Sequence, residues 1–175
     1  MLEKKLRSKL IYQGKIIRVR SDDVILENGV KTIREVVDHR GGACALVKTK
    51  NKEVLFVKQF RYALGTDVLE LPAGKIEANE DPLTTITREL MEEVGIKATK
   101  IESMGYILPT PGYSSEKIYL FYVEEYEECP SHFDEDESLE VISLSISEAY
   151  KMMEQSQIID AKTLCLLAKC QKKLM

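Results

Sequence analysis

Between Gly74 and Ile96 the chain reads GKIEANEDPLTTITRELMEEVGI, and this segment's local chemistry specifies one helix together with the turns that bound it. Asp81 is a capping residue type, and Pro82 suits the first helical position, where no main-chain donor is needed. Leu83, Ile86, Leu90 and Val94 recur at helical spacing and predict one apolar stripe. Gly95 follows the last of them, where a left-handed residue ends a helix. At about 100° per residue, Glu89 and Glu93 fall beside the stripe and Glu92 opposite it. Like charges at this spacing repel by a few tenths of a kcal/mol per pair, so such a cluster calls for a cation. Oxygen-only donors match a hard divalent ion, Mg²⁺ or Mn²⁺. Arg88 stands one turn before Glu92 and is placed to pair with it, leaving Glu89 and Glu93 freer for metal. A solvated helix with an acidic face is the plain alternative. The metal reading predicts an enzyme acting on an anionic substrate.

Composition bounds the rest. A chain of 175 residues is long enough for one good core and short for two. No apolar run approaches the length of a bilayer span, and no signal-peptide pattern opens the chain. A net charge of -4 argues against a nucleic-acid footprint, which shows a basic stripe. Cys44, Cys129, Cys165 and Cys170 form no metal-site spacing, so they read as reduced thiols in a cytoplasmic protein, with Cys44 in a strand core. His39 and His132 are too isolated for a zinc site. GxSxG, Walker-type and GxGxxG patterns are absent, which removes support for serine hydrolase, P-loop and dinucleotide-binding readings.

Along the chain, residues 8 to 39 read as strands that turn at Glu27-Asn28-Gly29, an Asn-Gly hairpin signal. Ala43 to Lys48, Glu53 to Phe60 and Val68 to Leu71 read as further strands, the last leading into Pro72-Ala73-Gly74. After the acidic helix, strands are predicted at Lys97 to Leu108, Glu116 to Val123 and Val141 to Ser145. Helices follow at about Ile146 to Gln155 and from Asp160, as cap, to Leu174.

Gly74, Glu80 and Arg88-Glu89-Leu90-Met91-Glu92-Glu93-Val94-Gly95-Ile96 together resemble the complete signature of the Nudix hydrolase family. Its fixed positions would match by chance on the order of 10⁻⁹ times per start. The resemblance extends to the family's ADP-ribose pyrophosphatase branch through Gln59-Phe60-Arg61-Tyr62, Glu70-Leu71-Pro72-Ala73-Gly74 and Asp160-Ala161-Lys162-Thr163. Pro109 to Glu116 resembles that branch's SPG-aromatic loop with Thr110 for the usual serine, and Pro111 lies fifteen residues beyond Ile96. The fold it implies is α/β, a Nudix α/β/α sandwich with a mixed sheet and an N-terminal β-rich dimerisation arm. The arm would occupy residues 1–40 and the catalytic domain 41–175. An ornament on the sheet is the alternative for the arm, but a strand-built piece of this length has too little core to stand alone.

The resemblance also implies roles. Glu89, Glu93 and the Ala73 carbonyl would hold metal, a carbonyl before a glycine turn being a good hard ligand. Glu92, Glu93 and a glutamate of the acidic stretch Asp134 to Glu137 would serve catalysis, with Glu137 the first choice and Glu135 the second. A solvated charge run is the alternative for that stretch. Arg61 would hold a phosphate or ribose oxygen through its rigid fork, with a surface ion pair as the alternative. Pro111 and Gly112 would line the substrate, and Tyr113 would stack on it or cap a core. Arg34 and Glu35 would contact the adenosine side from a partner subunit of a homodimer, with a cross-strand ion pair as the alternative. The activity implied is hydrolysis of a small-molecule nucleotide diphosphate, ADP-ribose, to AMP and ribose 5-phosphate with Mg²⁺ or Mn²⁺. Another nucleoside diphosphate sugar, an oxidised nucleoside triphosphate, and a non-catalytic ADP-ribose-sensing module are the alternatives.

Overall fold

The computed structural model describes residues 2–131 and 139–175. By their contacts the residues fall into two compact units, one of Met1–Gly41 with Leu108–Lys117, the other of Gly42–Ile107 with Ile118–Met175.

The first unit is a three-stranded antiparallel sheet of β1 (Glu3–Gln13), β2 (Arg18–Leu26) and β3 (Lys31–Asp38), in that order. The expected Asn-Gly turn joins β2 to β3. Gly29 sits at φ 83, and its N–H donates to Leu26 O at 2.9 Å. A positive φ costs glycine nothing, which is why this turn is legible in sequence. The unbroken run expected from residue 8 to that turn is corrected in two respects. The first strand begins at Glu3, and a second turn at Gly14, whose N–H donates to Ile17 O at 2.9 Å, folds β1 back on β2. Alternation alone does not reveal a turn that interrupts two strands of similar composition. Strand β1 is exposed along its whole length. The segment 108–117 joins this unit because Val37 N–H donates to Tyr113 O at 2.8 Å and Ser115 N–H donates to Val37 O at 3.0 Å.

The second unit holds the core. Its four-stranded mixed sheet has the order β7 (Ala73–Lys75), β4 (Gly42–Val47), β9 (Ile118–Glu128), β8 (Ile96–Ile107). The central pair, β4 and β9, is parallel, and a parallel pair covered on both faces needs a continuous apolar run, here GACALV. Alternation then divides that run. Cys44 and Leu46, with Leu120 and Tyr122 of β9, pack toward Leu166, Leu167, Cys170 and Leu174 of α3 (Ala161–Leu174). Ala43, Ala45 and Val47, with Phe121 and Val123, pack toward Ile86 and Leu90 of α1 (Pro82–Val94). Cys44 is thus the strand-core thiol expected, and burial pushes its thiol pKa up. A second, antiparallel sheet has the order β10 (Leu139–Ser145), β5 (Glu53–Arg61), β6 (Thr66–Glu70), and α2 (Ile146–Glu154) adds Ala149 to the α3-side core. Helices on both faces of a mixed sheet are the sandwich the resemblance implied. Among the described residues no helix is long and apolar enough to cross a membrane.

Candidate active site

Helix α1 forms as its sequence dictates. Asp81 accepts from the N–H groups of Leu83 at 2.9 Å and Thr84 at 3.0 Å, Pro82 opens the helix, and Gly95 closes it at φ 64. Gly95 also backs onto Cys129 O, so a side chain would be blocked there as well as strained. The inward face is Thr85, Ile86, Glu89, Leu90 and Glu93. Ile86 and Leu90 each contribute about 1.5–3 kcal/mol through burial. Leu83, expected in the stripe, is exposed; Thr85 takes the inward position of the first turn, its hydroxyl satisfied by Glu80 Oε2 at 2.9 Å and Asp81 O at 3.1 Å.

The two inward carboxylates meet the turn that enters β7. Glu93, 3% exposed, accepts the Ala73 N–H on Oε2 at 3.0 Å. Glu89, 8% exposed, lies so close to Gly74 that a Cβ on that glycine would fall on its carboxylate. The structure brings Ala73, Glu89 and Glu93 to one turn, and the contact seen for Ala73 is through its N–H and not the carbonyl expected to face a metal.

Arg88 does more than expected. Its Nε and Nη2 reach Glu80 at 3.0 and 3.3 Å, while Nη1 lies 2.8 Å from both Glu92 Oε2 and Glu89 Oε1. Pairing with Glu92 was foreseen, but Glu89 is held as well, because a guanidinium presents five donors and its Nη1 sits between the two side chains. The hydrogen bonds from Arg88 hold the Glu80 pKa down to about 2.

On the far side of the same turn, Arg61 gives Nε and Nη2 to the two oxygens of Glu70, each at 2.6 Å. Glu70 is 2% exposed and also takes Lys162 Nζ. Lys162 reaches Asp160 Oδ1 at 3.0 Å, and Asp160 caps α3 by accepting the Thr163 N–H at 3.0 Å. The ion-pair alternative for Arg61 is thus present, though its partner is buried. Glu70 and Lys162 were visible only as motif letters in sequence; the signal that singles them out, two cations sharing one buried carboxylate, is tertiary.

The other candidates belong to the first unit. Arg34 binds Glu3 through Nε at 2.9 Å and Nη2 at 2.8 Å, so its ion pair is cross-sheet. Glu35, its chain neighbour, points to the opposite face of β3, as strand alternation requires, and is exposed. Pro111 and Gly112 sit at an exposed turn in which Tyr113 and Ser114 N–H groups donate to Thr110 O at 3.3 and 3.0 Å. Tyr113 is 57% exposed, so it caps no core among the described residues. His39 Nδ1 accepts the Gly41 N–H at 2.9 Å. Glu135, Glu137 and His132 lie outside the described residues.

Among the described residues no three His, Cys, Asp or Glu side chains converge as a ready metal cage. The donors present nevertheless suit a small hard cation. Mg²⁺ is commonly held by one or two carboxylates and completed by water and phosphate oxygens. Glu89 and Glu93 are two such carboxylates, both buried against a main-chain turn.

A mixed sheet between helices, with paired helix carboxylates packed on a glycine turn, defines the class of protein. The chain belongs to the Nudix family: the NUDIX domain matches residues 38–167. A nucleoside diphosphate sugar hydrolase N-terminal domain matches residues 3–37. The chain is 37% identical to the ADP-ribose pyrophosphatase of Bacillus subtilis (strain 168) and 34% identical to the methanol dehydrogenase activator of Bacillus methanolicus. Each of those matches covers 92% of this chain and 88% of the relative. It is 35% identical to the GDP-mannose pyrophosphatase of Yersinia enterocolitica, over 85% of this chain and 84% of that one. A solved structure of an ADP compounds hydrolase superposes with a TM-score of 0.85 at 19% identity, covering 99% of this chain and 95% of that one, and establishes likeness of fold. This chain is an enzyme, a Nudix pyrophosphatase.

Proposed function

We propose that the enzyme hydrolyses ADP-ribose to AMP and ribose 5-phosphate. The observation that carries diphosphate chemistry is the pair Glu89 and Glu93, both buried, both against Ala73–Gly74. The choice of ADP-ribose rests on the 37% identity to the Bacillus subtilis relative. Glu89, Glu93 and the main chain at Ala73 would hold Mg²⁺, or Mn²⁺ in its place. Such an ion, when bound, supplies charge neutralisation and Lewis acidity at the diphosphate. The chain's own groups do the rest. Arg88 fixes Glu80 and Glu92 and orients Glu89, so the acidic flank is set before substrate arrives. Arg61 offers its remaining N–H groups to a phosphate oxygen. Water attacks one phosphorus, the bridging P–O bond breaks, and Glu137 takes the proton of the attacking water, with Glu92 a second carboxylate at the site.

The N-terminal sheet pairs two copies in this reading, with Arg34 and Glu35 serving the partner's substrate. Support comes from β1, an edge strand exposed along its length and carrying Leu6, Leu10, Ile11 and Tyr12. The four free cysteines agree with a reducing, cytoplasmic setting.

The GDP-mannose relative and the name of the N-terminal domain favour a second reading, hydrolysis of another nucleoside diphosphate sugar. A panel of ADP-ribose, GDP-mannose and other nucleoside diphosphate sugars, with products separated by chromatography, decides between them. AMP and ribose 5-phosphate should appear, with kcat/KM for ADP-ribose at least about tenfold above the others. A higher kcat/KM for GDP-mannose would overturn the choice.

A further inference from the structure

Arg61 is bound on one edge only. Glu70 takes Nε and Nη2, which leaves both Nη1 hydrogens and one on Nη2 without a partner among the described residues. The Arg61 side chain is 40% exposed while the carboxylate that grips it is 3% exposed. A guanidinium in an ordinary surface pair shares its exposure with its partner; this one is anchored from inside and offers its outer edge.

The anchor is itself tied down from two directions. Lys162, 11% exposed, reaches Glu70 Oε2 from α3 and is paired in turn with Asp160. The four-residue segment that starts at Glu70 is pinned at each step. Leu71 N–H donates to Thr163 Oγ1 at 2.9 Å, Pro72 O accepts from Ala45 N–H at 3.0 Å, and Ala73 N–H donates to Glu93 at 3.0 Å. Glu70 and Glu93 are therefore held at opposite ends of one immobilised stretch of main chain. Whatever fixes Glu70 also fixes Arg61 relative to the two helix carboxylates.

We infer that Glu70 and Lys162 are positioning residues that aim the outer edge of Arg61 at an anionic oxygen of the substrate. Glu70 holds the guanidinium through two parallel hydrogen bonds, and Lys162 holds the second Glu70 oxygen so that the carboxylate cannot swing away. The rotamer freedom of Arg61 is then lost on folding instead of on binding, which favours affinity. The inference rests on the proposed reading of this site as one for a nucleoside diphosphate sugar.

The test is a mutant cycle on ADP-ribose kinetics. Arg61→Ala, Glu70→Gln and Lys162→Met should each raise KM about tenfold or more, with kcat within a few-fold of the parent, the pattern of lost uniform binding. Combining Glu70→Gln or Lys162→Met with Arg61→Ala should add nothing further to KM, because each acts through Arg61. Lys162→Arg, which keeps the charge, should restore KM to near the parent value. Melting curves identify any variant that has lost its fold, and Lys162→Met then replaces Glu70→Gln in the cycle. Additive losses, or an unchanged KM in Glu70→Gln and Lys162→Met, would overturn the inference. If the parent prefers another nucleoside diphosphate sugar, the choice of ADP-ribose fails while the same cycle on that compound still judges the inference. If nothing is turned over, the cycle is run on the affinity for ADP by calorimetry.

Discussion

Glu93 accepts the main-chain N–H of Ala73 at 3.0 Å, so one inward carboxylate of α1 is bonded directly to the turn that enters β7. The adjacent Glu89 closes on Gly74 in the same way by contact. Site and scaffold are therefore one piece: the carboxylates proposed for metal also hold the helix to the sheet.

Glu93→Gln and Glu89→Gln test the metal assignment. Each removes one charge while keeping shape, and each should lower turnover by at least about a hundredfold while the protein still folds. Steady-state assays across a Mg²⁺ titration, together with circular dichroism, measure both effects. Near-parent activity for Glu93→Gln would remove it from the site.

Gly74→Ala tests the close approach. A methyl group there collides with the Glu89 carboxylate, so Glu89 or the turn must shift. Stability should fall by about 1–3 kcal/mol, the usual cost of overpacking, and activity should fall with it. Denaturant melts and kcat give the two numbers, and a neutral substitution would show that the contact relaxes freely.

The Glu80–Arg88 pair predicts an acid dependence of stability. Hydrogen bonds from Arg88 lower the Glu80 pKa from about 4.5 to about 2. A lowered carboxylate stabilises the fold above its unfolded value, and that contribution is lost as pH falls through the folded one. The difference in melting temperature between the parent and Glu80→Gln should therefore be full above about pH 5 and shrink toward pH 2. A difference that stays constant over that range would contradict the pairing.

The exposed first strand predicts assembly. Light scattering should report a dimer for the full chain, and removal of residues 1–40 should leave a poorly soluble or inactive protein. A well-behaved monomer of full length would refute subunit pairing through this sheet.

Glu137 is predicted to act on water. Its replacement by Gln should lower kcat by about 10²–10⁴-fold with KM nearly unchanged, and Glu135→Gln should do far less. The metal requirement should stay as in the parent, since the helix carboxylates remain. If both variants keep kcat within a few-fold, the stretch is a solvated charge run.

What the sequence determined by itself is whatever depends on near neighbours in the chain. Asp81, Pro82 and Gly95 set the limits of α1 through capping and backbone conformation, and Asn28-Gly29 set the hairpin, because these are interactions within a few residues. The spacing of Glu89 and Glu93 likewise placed both on one flank before any fold was known. Tertiary structure alone decided what those groups touch. Arg88 at Glu89, Arg61 at Glu70, and Lys162 brought 92 residues along the chain to the same carboxylate are outcomes of packing. So is the pairing of Arg34 on β3 with Glu3 on β1, 31 residues away along the chain. Local signals carry no information about which distant side chain fills a buried pairing position, because that choice is made when α3 closes over the sheet and each buried charge must find its partner.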